Sequence, residues 1–428
     1  MWSLAAAVLL VGGLGGTDDR AAIQAALDRA GARGGGVVQL PPGVFHVARR
    51  DASTTAVLTI PSGVTLRGAG ASVTELRLAA GQPDFTRVIE LTDVEDVEIR
   101  DLSIDGNRGG HAAGEHRAGV FATRASNVRL ERVALRNHTG DGVELFEDTR
   151  NVTLHDCVLA DNDRNGVTFD GVRSSGHRIV DSYFYGIGAQ AIDSEVTAEG
   201  SVHDVEIVGN TIVHHGGNYA ITTGGSSAEH RNRGWTIAEN RIEGSIYLLW
   251  GQGVLVRGNT IESQGFRAPI ETMRDVRDVR IEGNRIEGHP SDSLGGIFVA
   301  HSAGESPRRI AIVDNTIAVR AAAAAVVVQG VRGTRVVDNR ITVGHAKSRH
   351  VHLQATATMD EIEVRRNALR GDVALDDAIV LFGSSTFGTA DVAIVDNVVE
   401  TSQPPERTMR IVAGMRYERL VVRPPASR

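Results

Sequence analysis

The chain has 428 residues, and its 45 lysines and arginines against 53 aspartates and glutamates give a formal charge of −8. This acidic balance excludes a general nucleic-acid binder, which would need a basic face. A single cysteine excludes a disulfide framework, while a hydrophobic fraction of 41% is enough for a packed core.

The N-terminus carries an apolar run from Leu4 to Leu14. The run is too short to cross a bilayer, which takes about 20 residues, but it has the length of a signal-peptide core. We therefore interpret residues 1–16 as a signal peptide and expect a secreted or periplasmic protein without a membrane span. The alternative is a first buried strand beneath the cap of the fold.

Residues 17–31 predict an amphipathic helix. Thr17 is placed to cap it, Asp18 and Asp19 fall in its first turn, and Gly31 ends it. One face of this helix carries the apolar residues Ile23, Ala26, Leu27 and Ala30. Such a helix suits the cap that the open end of a repeat fold requires.

The rest of the chain follows a repeat in which an asparagine, one small or basic residue and an aliphatic residue recur after a short alternating strand. The asparagines are Asn210, Asn240, Asn259, Asn284, Asn315, Asn339, Asn367 and Asn397, and upstream Leu102, Val133, Cys157 and Ser182 occupy the same place. A period of about 25 residues with strands of period two predicts an all-β solenoid, specifically a single-domain parallel β-helix. We expect about twelve coils over residues 37–422, preceded by the cap (17–36) and followed by a tail (423–428). The asparagines are interpreted as a ladder that bonds the coils above and below.

Three segments near the N-terminus carry a family resemblance. They are Gly16-Thr17-Asp18-Asp19, Gly34-Gly35-Gly36-Val37-Val38 and Leu40-Pro41-Pro42-Gly43. Together with the helix between them they resemble the N-terminal cap of the pectate-lyase-like superfamily of right-handed β-helices, which includes polygalacturonases, polyuronate lyases, mannuronan epimerases and phage tailspikes. The resemblance implies carbohydrate as the ligand class and does not select a reaction.

The strand after each asparagine turn presents a face rich in acids and aromatics. Alternation places its outward residues in columns, with apolar residues such as Val143, Val167 and Ile192 pointing inward. The predicted catalytic residues are Asp193, Glu195 and Asp170. The predicted substrate-binding residues are Glu144, Asp141, Arg164, His214, His215, Asn218, Tyr219, Tyr247, Trp250, Arg267 and Glu271.

Stacked carboxylates repel one another unless a shared proton or a cation relieves them, so their clustering indicates function. Glycoside hydrolysis needs only two carboxyl groups, one as acid and one as base or nucleophile. We predict Asp193 as the base and Glu195 or Asp170 as the acid. Asp193 and Glu195, about 6.7 Å apart at Cα along one strand, fit an inverting pair, whereas Asp170 with Glu195 would fit a retaining pair.

Two alternatives remain open. Of the polygalacturonase motifs the sequence approaches only Asn-X-Asp, with Thr139-Gly140-Asp141. The mannuronan-epimerase segment Asp-Pro-His-Glu is absent from the sequence. Arg267-Ala268-Pro269 matches only the start of the pectate-lyase motif Arg-X-Pro-X-X-Arg. A polyuronate lyase or C5-epimerase, working by C5 proton abstraction with calcium assistance, is one alternative, and a non-catalytic glycan-binding or adhesive β-helix is the other. Hydrolysis requires no cofactor, and a role for bound calcium stays open. The expected partner is a polysaccharide or oligosaccharide substrate, and the oligomeric state is not predicted.

Overall fold

The computed structural model describes residues 8–11, 18–196, 200–263, 265, 267–288, 294–302, 304–357, 359–371, 377–383, 389–401, 407–411, 417–422 and 426–427. Nearly all of them lie in short parallel strands or in the turns between strands. The chain divides into two compact units, residues 1–216 and 217–428, and each unit is a parallel β-solenoid. The described residues form about 13 turns, so the predicted parallel β-helix is confirmed.

Unit 1 (residues 1–216) stacks its strands on three faces, which we name sheets A, B and C. Sheet A contains Val8–Leu10, Gly36–Gln39, Val64–Arg67, Glu95–Asp105, Ser126–Arg136, Arg150–His155, Ser174–Val180 and Val202–Val208. The two 11-residue strands of this set, Glu95–Asp105 and Ser126–Arg136, continue into sheet B. Sheet B also contains Gly43–Val47, Thr74–Leu78, Val158–Ala160, Tyr183–Tyr185 and Thr211–Val213. Sheet C contains Ala56–Thr59, Arg87–Thr92, Val120–Thr123, Val143–Leu145, Val167–Phe169 and Ile192–Ser194, and a 3₁₀ turn spans Arg108–Gly110.

Unit 2 (residues 217–428) repeats the three faces. Its sheet A contains Asn232–Ala238, Gly251–Arg257, Arg277–Glu282, Arg308–Val313, Arg332–Val337, Ile362–Arg365, Thr389–Val395 and Tyr417–Val422. Its sheet B contains Arg241–Glu243, Thr260–Glu262, Arg285–Gly288, Thr316–Val319, Arg340–Val343, Ala368–Gly371, Val398–Thr401 and Ala426–Ser427. Its sheet C contains Ile221–Gly224, Ile246–Leu249, Ile270–Met273, Ile297–Ala300, Ala324–Gln329, Arg349–Ala355, Asp377–Gly383 and Arg407–Ile411.

The cap helix spans Arg20–Gly31 and buries Ile23, Ala26, Leu27 and Ala30, the face predicted for it. Its start differs from the prediction, because Asp18 and Asp19 precede the first turn and no acid lies within it. Asp19 is held outside the helix by the backbone: its Oδ2 accepts the N–H of His46, and its own N–H donates to the carbonyl of His46. Thr17, the predicted cap residue, lies outside the described residues. Val8–Leu10 pairs in parallel with Val37–Gln39, and no helix in the described part of the chain is long and apolar enough to cross a membrane.

The asparagine ladder is confirmed. In unit 2 the backbone N–H of each ladder residue donates to the Oδ1 of the next at 2.9–3.0 Å, from Asn240 through Asn259, Asn284, Asn315, Asn339 and Asn367 to Asn397. In unit 1 Cys157 N donates to Ser182 Oγ, and Ser182 N donates to Asn210 Oδ1. Cys157 is buried and burial raises the pKa of its thiol to about 12, so it is a structural substitute in the ladder.

Candidate active site

Sheet C of unit 1 places two of the predicted acids in one column across three stacked coils. Val143–Leu145, Val167–Phe169 and Ile192–Ser194 pair in parallel and in register, so Glu144, Thr168 and Asp193 form one outward column. Their neighbours Val143, Val167 and Ile192 are fully buried, as the alternation predicted.

Asp170 and Glu195 follow their strands at equivalent positions. The N–H of Asp170 donates to Leu145 O and that of Glu195 to Phe169 O, both at 2.9 Å, which extends the ladder by one residue. Asp170 and Glu195 therefore occupy a second outward column one coil apart, about 4.8 Å at Cα. We name Glu144, Asp170, Asp193 and Glu195 the acid cluster.

Arg164 is the cation within this cluster. Its Nη1 donates to Asp141 Oδ2 at 2.5 Å, and its Nη2 donates to Glu195 Oε2. Asp141 also accepts the N–H of Asn165 and the hydroxyl of Thr168, both at 2.9 Å. Asp141 is buried, and its predicted role in substrate binding stays a prediction. Asp141 instead fixes the guanidinium that contacts Glu195.

Burial and mutual repulsion shift the acids of this region toward protonation. Burial, followed by the charge of Asp141, raises the pKa of Glu144 to about 7, and burial raises the pKa of Asp141 to about 6. Burial and the charge of Glu195 raise the pKa of Asp170. Because each carboxylate penalises ionisation of its neighbours, Asp141, Glu144 and Asp170 hold their protons to higher pH than isolated carboxyl groups do.

Asp193 and Glu195 interact directly. Burial, followed by a hydrogen bond to Glu195, raises the pKa of Asp193 well above its usual range, and the Ser194 N–H donates to Asp193 Oδ1 at 2.9 Å. The inverting pair Asp193 and Glu195 and the role of Asp193 as the base stay predictions. A raised pKa is also compatible with Asp193 as the acid, because the carboxyl group then holds its proton to higher pH.

Unit 2 brings together a second set of predicted residues. The rings of Tyr219 and Tyr247 stack with centroids 4.3 Å apart, and the guanidinium of Arg267 lies 4.9 Å from the Tyr219 centroid. Tyr219 OH donates to Glu271 Oε2 at 2.7 Å, and the Ala268 N–H donates to Glu271 Oε1. Glu271 is completely buried and holds the hydroxyl of Tyr219, and its predicted contact with substrate stays a prediction.

Trp250 belongs to a separate contact in unit 2. Its indole Nε1 donates to Glu305 Oε2 at 3.0 Å, and the guanidinium of Arg274 lies 5.2 Å from its ring centroid. Three further predicted residues remain: His214 is buried, whereas His215 and Asn218 are exposed.

Sequence reasoning missed four residues of unit 1 that border the acid cluster. The guanidinium of Arg87 lies 3.3 Å from the ring centroid of Phe121, and Phe121 pairs with Glu144 in the outward column. Burial raises the pKa of Glu144 and of Asp170, and the charges of Arg87 and His116 respectively oppose part of that rise. Phe85 stacks on His116 with centroids 4.3 Å apart. Alternation in Arg87–Thr92 and Val120–Thr123 was the available signal, but the predicted face began two coils too late, at the strand Val143–Leu145.

The residues present do not assemble an evident metal centre. Within the ranges described above, no group of three or more histidines, cysteines, aspartates and glutamates is placed to hold a metal ion. Asp141 and Glu195 are engaged by Arg164. Calcium assistance stays a prediction.

Known proteins share both sequence and fold with this chain. It is 36% identical to mannuronan C5-epimerase AlgE6 of Azotobacter vinelandii over 173 residues, which is 37% of this chain and 19% of the epimerase. It is also 36% identical to alginate lyase 7 of the same organism over 167 residues, 37% of this chain and 20% of the lyase. These matches span only about a fifth of the length of either relative.

The solved A-module of the AlgE6 epimerase superposes with a TM-score of 0.66, covering 92% of this chain and 98% of that module at 23% identity. This similarity concerns the fold. The family model for the right handed beta helix region matches residues 62–212 and 172–341, well over half of the chain. The resemblance of the cap and the coils to right-handed β-helix proteins is thus confirmed, and the chain belongs to the right-handed β-helix family.

Proposed function

We propose that the protein is a carbohydrate-active enzyme that hydrolyses glycosidic bonds of a polysaccharide at the acid cluster of unit 1. The observation that carries the proposal is the set of carboxyl groups on adjacent outward positions of three stacked coils, with Glu195 bound by Arg164. Burial raises the pKa of Asp193, which lies beside Glu195. A carboxylic acid with a raised pKa next to an accessible carboxylate is the minimum that glycoside hydrolysis needs.

In this mechanism Asp193 is the general acid. Its protonated carboxyl donates to the glycosidic oxygen as the bond to the leaving sugar breaks, and Glu195, bound by Arg164, keeps the proton on Asp193 until then.

Asp170 is the general base. Its side chain is half-buried, and its buried Oδ1 has no hydrogen-bond partner among the described residues, so in this proposal it takes the proton of the water that attacks the anomeric carbon. Asp170 lies diagonally across from Asp193 on the neighbouring coil, a spacing of roughly 7–8 Å that leaves room for this water. Glu144, two coils from Asp193 in the same column, would position a sugar hydroxyl.

The aromatic set of unit 2, formed by Tyr219, Tyr247, Arg267 and Trp250, suits a saccharide-binding role, because aromatic faces stack on the apolar faces of sugar rings. We retain this role as a proposal for all four, of which Tyr219 is buried, Tyr247 and Trp250 are half-buried and Arg267 is exposed. Secretion likewise stays a proposal, which N-terminal sequencing of the protein recovered from its native host would test.

The alternative reaction is polyuronate lysis or C5 epimerisation, which the names of the two relatives favour. Such a reaction must neutralise the uronate carboxylate, and Arg87 and Arg164 are the cations that border the cluster. Absence of the Asp-Pro-His-Glu segment weighs against epimerisation by the relatives' motif. Protonated acids would no longer repel a uronate. Because the pKa values of Glu144 and Asp170 are raised, these two carboxyl groups take up protons at mildly acidic pH.

Product analysis separates these reactions. The chain is incubated with alginate, pectate and neutral glucans, with and without a calcium chelator, and the products are assayed for reducing ends, unsaturated uronate absorbance and C5 configuration by NMR. Hydrolysis gives reducing ends without unsaturation, lysis gives both, and epimerisation changes C5 without cleavage. Either of the last two results contradicts the hydrolase proposal.

Asp193→Asn tests the assigned acid on the substrate so found. We expect kcat to fall about 10³-fold, within the range for loss of a general acid, while the melting temperature stays unchanged. Asp181→Asn is the matched control, because Asp181 is an exposed turn residue of unit 1 with positive φ, which asparagine tolerates. Full turnover by Asp193→Asn would reject the assignment.

A further inference from the structure

Phe85 has a backbone conformation that its residue type disfavours. Its φ is +60°, and the other non-glycine residues with positive φ in the described ranges are aspartates, asparagines, glutamates and arginines, apart from Trp250. A bulky residue in this region is a steric outlier that costs of order 1–3 kcal/mol. The ring recovers little of this by burial, since Phe85 is 51% exposed.

The loop that presents Phe85 is braced from beneath. The buried guanidinium of Arg117 donates through Nε to the carbonyls of Gln82 and Pro83, each at 3.1 Å. The N–H of His116 donates to Asp84 Oδ1 at 3.1 Å, and Thr86 Oγ1 donates to Pro83 O at 2.7 Å. These bonds flank Phe85 on both sides and hold its backbone in the disfavoured region.

The ring of Phe85 is paired and borders the acid cluster. It stacks on the ring of His116 with centroids 4.3 Å apart and planes inclined by 18°. His116 lies close enough to Asp170 for its charge to act on that carboxyl group, and Arg87, two residues beyond Phe85, acts in the same way on Glu144. A fixed, exposed aromatic pair therefore stands at the edge of the proposed catalytic carboxyl groups.

We propose that Phe85 and His116 form an aromatic subsite that stacks on a pyranose ring of the polysaccharide and places the adjoining glycosidic bond beside Asp170 and Asp193. The ligand class is a saccharide with an apolar C–H face, which aromatic faces bind in water. This inference rests on the proposed function, because it takes the acid cluster as the place of reaction. It also explains why the strain at Phe85 is retained, since a glycine there would relieve the strain and remove the platform.

The test uses two substitutions with opposite effects on the platform. Phe85→Gly removes the ring and suits the positive φ, so the melting temperature should stay level or rise while the Kd for saccharide weakens about tenfold or more, as for other anchoring aromatics. Phe85→Trp keeps a larger platform, and its indole fluorescence should change when saccharide binds. Tyr185→Ala is the matched control, because Tyr185 is also an exposed aromatic of unit 1 in contact with a second ring, that of Tyr183, on sheet B.

Binding is measured by isothermal titration calorimetry with a mannuronate hexasaccharide and with cellohexaose as probes. Weaker binding by Phe85→Gly with unchanged Tyr185→Ala supports the subsite, and if no bond is cleaved in the product assays the subsite stands while the hydrolase proposal fails. Equal binding by wild type and Phe85→Gly overturns the subsite even where cleavage is observed. Failure of the wild-type chain to bind either probe at millimolar concentration also overturns it, and so does a fall in the melting temperature of Phe85→Gly that accounts for its loss of binding.

Discussion

His177 gives the sharpest test of how this core responds to pH. It lies in the interior of unit 1 at 1% exposure, with its ring 5.3 Å from that of Phe169 and its Nδ1 accepting the N–H of Val152 at 3.4 Å. Burial lowers the pKa of His177 from 6.5 to about 3. The imidazole is therefore neutral in the folded protein under conditions where it is protonated in the unfolded chain.

The linkage has a definite sign and size. A histidine whose folded pKa is depressed contributes stability that is present above the unfolded pKa and is lost as the pH falls toward the folded pKa. With pKa values of 6.5 unfolded and about 3 folded, lowering the pH from 8 to 4.5 should remove about 2.7 kcal/mol from the free energy of unfolding.

The perturbation that isolates this effect is His177→Gln, which replaces the titrating ring with a neutral group that can still accept a hydrogen bond. Urea unfolding is followed for both chains at pH 8 and pH 4.5. The packing lost in the variant costs the same at both pH values, so it cancels when the two free energies are subtracted. We expect the wild type to lose about 2.7 kcal/mol more than His177→Gln between the two pH values.

His215→Gln is the control, because His215 is exposed and its replacement should leave the pH dependence of unfolding as in the wild type. If wild type and His177→Gln lose the same free energy between pH 8 and pH 4.5, the reasoning that burial keeps this imidazole neutral is refuted.

Two further substitutions test the ladder and the cation of the acid cluster. Asn315→Ala removes an amide that accepts from Asn284 N and donates to Ile281 O and Asn339 Oδ1. Because these buried groups lose their partners, the free energy of unfolding should fall by about 3 kcal/mol or more. The control Thr316→Ala, on the exposed side of the same coil, should cost under about 0.5 kcal/mol. A denaturation midpoint for Asn315→Ala equal to that of Thr316→Ala would contradict the ladder's role. Arg164→Met removes a cation whose charge lowers the pKa of Asp141, Glu144, Asp170 and Asp193. The profile of kcat/KM against pH should therefore move to higher pH. The control Arg173→Met breaks an exposed ion pair with Asp148 and should leave the profile in place. An unmoved profile in Arg164→Met would show that Arg164 does not set these pKa values.

The sequence alone determined the repeat, the ladder and the two sides of each strand. These follow from local rules: a strand alternates its side chains whatever lies around it, and an asparagine that recurs at one turn meets its copies once coils stack. Inward Val143, Val167 and Ile192, outward Glu144 and Asp193, and the substitution of Cys157 in the ladder could all be predicted from such patterns.

Only the tertiary structure decided which of the predicted side chains a ligand can reach. Asp141 and Glu271 carry the same carboxyl group as the exposed Glu195, but the first is enclosed by Arg164, Asn165 and Thr168 and the second by Tyr219 and Ala268. These contacts join residues 3 to 52 positions apart, and their geometry depends on the lengths of the turns between strands, which the repeat does not fix.

The tertiary structure also decided the pKa values of the acid cluster and the backbone conformation of Phe85. A pKa follows from desolvation and from the distances to other charges, so the raised pKa of Asp193 follows only from its burial and its contact with Glu195. Phe85 carries no motif, and its exposed ring at positive φ exists because Arg117 and Asp84 hold the loop against the neighbouring segment. Pattern in the sequence fixes which side of a strand a residue faces, whereas burial, charge and strain arise from the packing of segments that are distant in the chain.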